Sequence, residues 1–142
     1  MSLINFDQLS EEATNRGAPF SVLVVDDEHW VRDVLRSFCD LSDAFKVDLA
    51  GNGKEALDKI KESEYDLVTL DLIMPDLSGL EVLSKAKKMK PDMPVMIITG
   101  NATTKIINRA GVMGACRVLY KPIMLEVFIS ELTSMLLGKK PH

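Results

Sequence analysis

The chain has 142 residues, 46% hydrophobic and 27% charged, a size and balance that suit one globular domain and exclude disorder, collagen and coiled coil. Its formal net charge of −4 leaves no basic footprint of the kind that direct nucleic-acid binding requires. The longest apolar runs, Val22–Val25 and Val95–Ile98, are four residues each, far short of the roughly 20 that a membrane-spanning helix needs. The opening stretch lacks the basic and apolar regions of a secretory signal, so the expected location is cytoplasmic. Cys39 and Cys116 form neither a disulfide framework nor a CxxC pair and are expected to be reduced and structural.

Residues 1–19 read as an N-terminal arm, with a short helix over 7–15 stopped by Gly17 and Pro19, and a frayed terminus is the expectation there. From Phe20 the pattern is regular. Residues 20–26 form an apolar run ending in acids, as a strand buried on both faces would. Val31, Val34, Leu35 and Phe38 line one helical face. Residues 45–50 alternate apolar and polar, which suits an edge strand. Asn52 can cap a helix carrying Ala56, Leu57 and Ile60. A second buried strand, 65–71, also ends in an acid. After the turn-rich loop 74–79, Ser78 can cap a helix through Leu80, Leu83 and Met89, closed by Pro91. Residues 93–100 are the most apolar strand. A weaker helix with Ile106, Ile107, Ala110 and Met113 follows, then a short strand at 117–121 broken by Pro122, and a closing helix from Leu125 to Leu136. The order βαβαβαβαβα demands crossover helices and a five-stranded parallel sheet, α/β and doubly wound in the flavodoxin-like order 2-1-3-4-5. The globular unit spans 20–138, with 139–142 as a tail.

In such a sheet, ligands bind outside the carboxyl ends of the strands. Those ends carry Asp26, Asp27 and Glu28; Asp71; Thr99 and Gly100; Lys121 and Pro122. Singly, each has an ordinary explanation: a helix-capping carboxylate, a turn hydroxyl, a surface lysine. Together they are harder to dismiss. Two carboxylates about 5 Å apart repel by roughly 3 kcal/mol at an effective dielectric near 20, so gathered acids call for cations. Lys121 supplies one charge, and an all-oxygen, partly hydrated site suits Mg²⁺. No Ser-His-Asp or Cys-His set and no phosphate-binding glycine loop is present, and neither His29 nor His142 can be placed as a general base. What remains is attack by a carboxylate on phosphorus, with Asp71 as nucleophile and Lys121, Thr99 and the amides near Gly100 stabilising the phosphoryl oxygens.

The segments VVDDE (24–28), LDLIMPDLSGLEVL (70–83), IITG (97–100), GA (114–115) and YKP (120–122) closely resemble the receiver domain of two-component response regulators over residues 20–138. The motif order differs from that of haloacid-dehalogenase phosphatases, where the nucleophile comes first and a second acid stands two residues later; here that later position is Ile73. The resemblance implies that Asp71 is the phosphoacceptor, taking its phosphoryl group from a phosphohistidine on a sensor histidine kinase or histidine phosphotransfer protein. It implies metal ligation by Asp27, Asp71 and the Ile73 carbonyl, with Asp26 acting largely through water, and a catalytic set of Asp71, Thr99 and Lys121. It also implies a cis peptide at Lys121–Pro122, Thr99 as a switch hydroxyl turning toward phosphate, and signalling through the 4-5-5 face (fourth crossover helix, fifth strand, closing helix) to an effector or a second copy. No membrane contact, no direct nucleic-acid contact and no multiple turnover are expected.

Two departures stand out. Val118 occupies a position where the family usually has an aromatic residue, with Tyr120 two residues on along the same strand face. Gly100 stands where Ala or Ser is common. The switch is then expected to run through the loop after Gly100, through Tyr120, or with weak coupling. A pseudo-receiver that only docks or dimerises, and a phosphatase using an aspartyl intermediate, are the alternatives.

Overall fold

A computed structural model describes residues 6–138. The elements are α1 (Asp7–Arg16), β1 (Phe20–Val25), α2 (His29–Cys39), β2 (Phe45–Ala50), α3 (Gly53–Glu62), β3 (Leu67–Leu70), α4 (Gly79–Met89), β4 (Val95–Thr99), α5 (Thr104–Val112), β5 (Arg117–Tyr120) and α6 (Leu125–Leu136). All strand pairs are parallel, in the order β2-β1-β3-β4-β5. The flavodoxin-like topology expected from the alternation is thus the one observed.

Alternate residues of each central strand enter opposite layers, which is why these strands read as continuous apolar runs. Leu23, Val25, Val68, Leu70 and Ile97 pack toward α3, α4 and α5 with Ala56, Ile60, Val82 and Leu83. Val22, Val24, Leu67, Met96 and Ile98 pack toward α2 and α6 with Val31, Leu35, Cys39, Phe128 and Leu132. The edge strand β2 is only half-buried. Three helices start on side-chain caps, each worth about 1 kcal/mol. Asn52 Oδ1 accepts from the Glu55 amide at 2.8 Å, Ser78 Oγ from Glu81 at 3.2 Å, and Thr103 Oγ1 from Ile106 at 3.2 Å.

The frayed terminus expected of the arm is not what its described part forms. Helix α1 ends at Gly17 in the left-handed region (φ 76°) and turns back onto the body. Leu9 is fully buried against Phe20 and Ala44, with Leu136 and Leu137 beside them. Arg16 lies 4.4 Å over the Phe20 ring and pairs with Asp66 at 3.0 Å. A lone leucine in a polar segment gives no amphipathic pattern, so the docking has no sequence signal. The tail 139–142, with His142, lies outside the described residues.

Candidate functional site

The parallel register brings the strand ends to one rim. Val25 pairs with Leu70, Leu70 with Ile97, and Thr99 with Tyr120. The residues just beyond continue the ladder: the Asp26 amide donates to the Ala50 carbonyl, Asp71 to Val25, and Lys121 to Thr99. The backbone itself therefore aims Asp26, Asp71, Thr99 and Lys121 at a common point.

Asp26, Asp71 and Thr99 are buried and Asp27 is exposed. Carboxylate oxygens of Asp26, Asp27 and Asp71 all lie within 4.8 Å of one another. Lys121 Nζ sits 2.8 Å from Asp26 Oδ2, 3.0 Å from Asp71 Oδ2 and 3.1 Å from Glu28 Oε1, so one ammonium bridges three acids. Thr99 Oγ1 and the Ile73 amide both donate to Asp71 Oδ1, each at 3.1 Å. The Thr99 hydroxyl faces the Asp71 carboxylate. The Asp26 carboxylate accepts from the Glu28 amide at 2.9 Å, and its carbonyl accepts from the Arg32 guanidinium at 2.7 Å. The Lys121–Pro122 peptide is cis.

Burial raises the Asp26 carboxyl above its usual range, with the Lys121 hydrogen bond working against that rise. Burial disfavours the Lys121 ammonium too, but hydrogen bonds to Asp26 and Asp71 outweigh it, and the lysine is held above its ordinary 10.5. Glu28 is lowered by its hydrogen bonds to Lys121 and then Trp30. Around this centre lies a cleft of about 480 Å³ whose rim includes Trp30, Ile73, Asn101 and Pro122. The donor set fits a hard divalent cation. It is all oxygen, carries no thiolate or imidazole in the cleft, and faces solvent that can complete the shell.

Several participants escape sequence reasoning. Glu28 stands next to the acidic pair, yet nothing marks it as a lysine partner. Arg32 and Asn101 reach the site from a helix face and a loop, without a motif. Val118 is half-buried and packs into the α3–α5 layer, whereas Tyr120 is 60% exposed and does not line the cleft. His29 is exposed on α2, 3.3 Å from Asp33, and does not line the cleft.

Comparison with known proteins agrees with this geometry. A sequence profile described as the response regulator receiver domain matches residues 22–133. The response regulator MprA of Mycolicibacterium vanbaalenii is 35% identical over 125 residues, covering 87% of this chain and 53% of the relative. MprA of Mycobacterium avium is 35% identical over 123 residues, covering 85% and 53%. The chain thus spans about half the length of the curated relatives it matches. A CheY-like receiver domain protein from Methanospirillum hungatei superposes with a TM-score of 0.82 at 26% identity, covering 85% of this chain and 96% of that one. The chemotaxis protein CheY4 of Vibrio cholerae gives 0.78 at 25%, covering 84% and 100%.

Proposed function

The chain belongs to the response regulator receiver domain family, and from that premise we propose that it accepts a phosphoryl group on Asp71 from a phosphohistidine donor in a two-component phosphorelay. The observation that carries the reading is Lys121, poised within 3.1 Å of Asp26, Glu28 and Asp71 while Thr99 holds the other oxygen of Asp71. A cation so placed can follow charge from carboxylate to phosphoryl oxygen as the group arrives, and a hydroxyl donor can do the same.

In this reading an Asp71 oxygen attacks phosphorus, the P–N bond breaks, and the departing imidazole keeps the electron pair and takes up a proton. Asp27, Asp71 and the Ile73 carbonyl would hold Mg²⁺, with Asp26 acting through water. Bound there, Mg²⁺ supplies positive charge that offsets the gathered acids and the incoming phosphoryl oxygens. The receiver unit runs over 20–138, the 4-5-5 face (α5, β5 and α6 here) passes the signal to an effector or a second copy, and the setting is cytoplasmic. Thr99 is the switch hydroxyl. Because Val118 offers no ring and Tyr120 stands outside the cleft, the loop after Gly100 is the element that moves. Among the described residues, no helix is long and apolar enough to cross a membrane.

Incubation with Mg²⁺ and a small acyl phosphate tests the reading. One phosphoryl group should appear by intact-mass spectrometry and vanish in Asp71→Asn. Absence of modification would mean a pseudo-receiver, and sustained release of phosphate over many turnovers would mean a phosphatase.

A further inference from the structure

The loop between β3 and α4 carries Ile73, and its far end is tied to a different element. Asp76 reaches across to the start of α3, where Oδ1 accepts from the Gly53 amide at 3.0 Å and Oδ2 from the Lys54 amide at 3.3 Å. Asn52 takes the Glu55 amide, so the first three amides of α3 all have acceptors, two of them from the neighbouring loop. Such amides have no partner within their own helix and carry the positive end of its dipole. The same junction is closely packed: a Cβ at Gly53 would lie 2.8 Å from Leu77 Cβ. Toward Asp71 the loop is closed by the Gly79 amide on the Leu72 carbonyl, 2.9 Å, and by the Ile73 amide on Asp71.

Ile73 therefore sits in a loop clamped at both ends, and the polar part of the distal clamp, beside the Leu77 packing, is a single exposed carboxylate. We propose that Asp76 is a positioning residue: by gripping the first turn of α3 it holds the β3–α4 loop, and with it Ile73, in the place the cation site requires. This rests on the receiver reading given above. Asp76 neither lines the cleft nor belongs to the acidic cluster. It acts through the loop, as groups behind metal ligands do.

Two measurements on the full chain test it, using Asp76→Ala and Asp76→Asn. In Mg²⁺ titrations followed by Trp30 fluorescence, Asp76→Ala should bind roughly tenfold more weakly, the low end for loss of an orienting group. Asp76→Asn keeps one oxygen for an amide and should recover part of the loss. In metal-free hydrogen exchange, Asp76→Ala should speed exchange at Gly53, Lys54 and Ile73 while the central strands keep their protection. Unchanged Mg²⁺ affinity in Asp76→Ala, or a uniform rise in exchange across the fold, would overturn the proposal. If the wild-type chain itself shows no saturable Mg²⁺ response, the receiver reading falls, and local acceleration in the exchange data still decides whether Asp76 holds the loop.

Discussion

Lys121 is the residue on which the charge balance of the cleft turns. Its side chain is 12% exposed, and those of Asp26 and Asp71 are 2% and 5%. Removing one partner of a buried ionic cluster typically costs about 3 kcal/mol, because the charges left behind lose their compensation. Lys121→Met should therefore lower stability by about that amount in chelator, and markedly less in Mg²⁺, as read by urea denaturation. The pH profile has a defined sign. The ammonium, ordinarily titrating at 10.5, is opposed by burial but raised overall by Asp26 and Asp71. Its contribution is thus fully present below 10.5 and drains away as pH rises through the folded value. The stability difference between wild type and Lys121→Met should shrink on that alkaline side, and again in acid as Asp26, raised by burial, takes up a proton. The two thiols also separate. Burial, with help from Asp40, pushes Cys39 up to about 12, whereas Cys116 is exposed. A thiol-specific disulfide reagent at neutral pH should label Cys116 in the native protein and Cys39 only after unfolding. Cys116 is free and exposed, so of the two cysteines only Cys39 serves the core.

Among the elements, the start of α4 carries the strictest requirement. A Cβ at Gly79 would stand 2.3 Å from Leu72 Cα and 2.4 Å from the Asp71 carbonyl oxygen, both backbone atoms that cannot step aside. Gly79→Ala should cost about 3 kcal/mol in chemical denaturation and displace the segment carrying Asp71. Gly100 is the contrast: a Cβ there would meet only Lys121 side-chain carbons at 3.6 Å, ordinary contact. Gly100→Ala should stay within about 0.5 kcal/mol of wild type. If it also leaves hydrogen exchange of the following loop unchanged after acyl phosphate treatment, the proposed loop motion does not depend on a glycine at 100. For α1, Leu9→Ala opens a gap against Phe20 and Ala44 and should cost about 3 kcal/mol. A negligible change in melting temperature would show α1 to be energetically separate from the body.

At the scale of the molecule, a ligand that binds only the folded state stabilises it by about 2.7 kcal/mol at a hundred times its Kd. Mg²⁺ should raise the melting temperature of wild type and leave Asp27→Ala unmoved. The sheet and its rim are legible in the sequence because double-sided burial turns each central strand into an apolar run, and the polar residue ending that run marks the edge. Asp26, Asp71 and Thr99 follow from that rule, whereas Lys121 ends β5, a half-buried edge strand, and is marked instead by the proline after it. What is not legible are contacts made across the topology. The reach of Asp76 to α3, the grip of Glu28 on Lys121 and the seat of Leu9 depend on where remote backbones meet, and no periodicity records that. Side-chain facing along β5 shows the same limit: parity places Val118 and Tyr120 together, yet one packs in a layer while the other stands in solvent at the strand end.

Helix α1 meets β1 at Phe20, whereas the acidic rim begins just past Val25. Six strand residues at about 3.3 Å each put some 20 Å of sheet between them. The molecule can therefore be held by one pole and interrogated at the other. A biotin attached through Glu12→Cys in a Cys116→Ser background would anchor the chain to a sensor surface with its cleft turned outward. Association and release of the phosphodonor protein proposed above could then be tested on an immobilised layer in which every copy presents the same face.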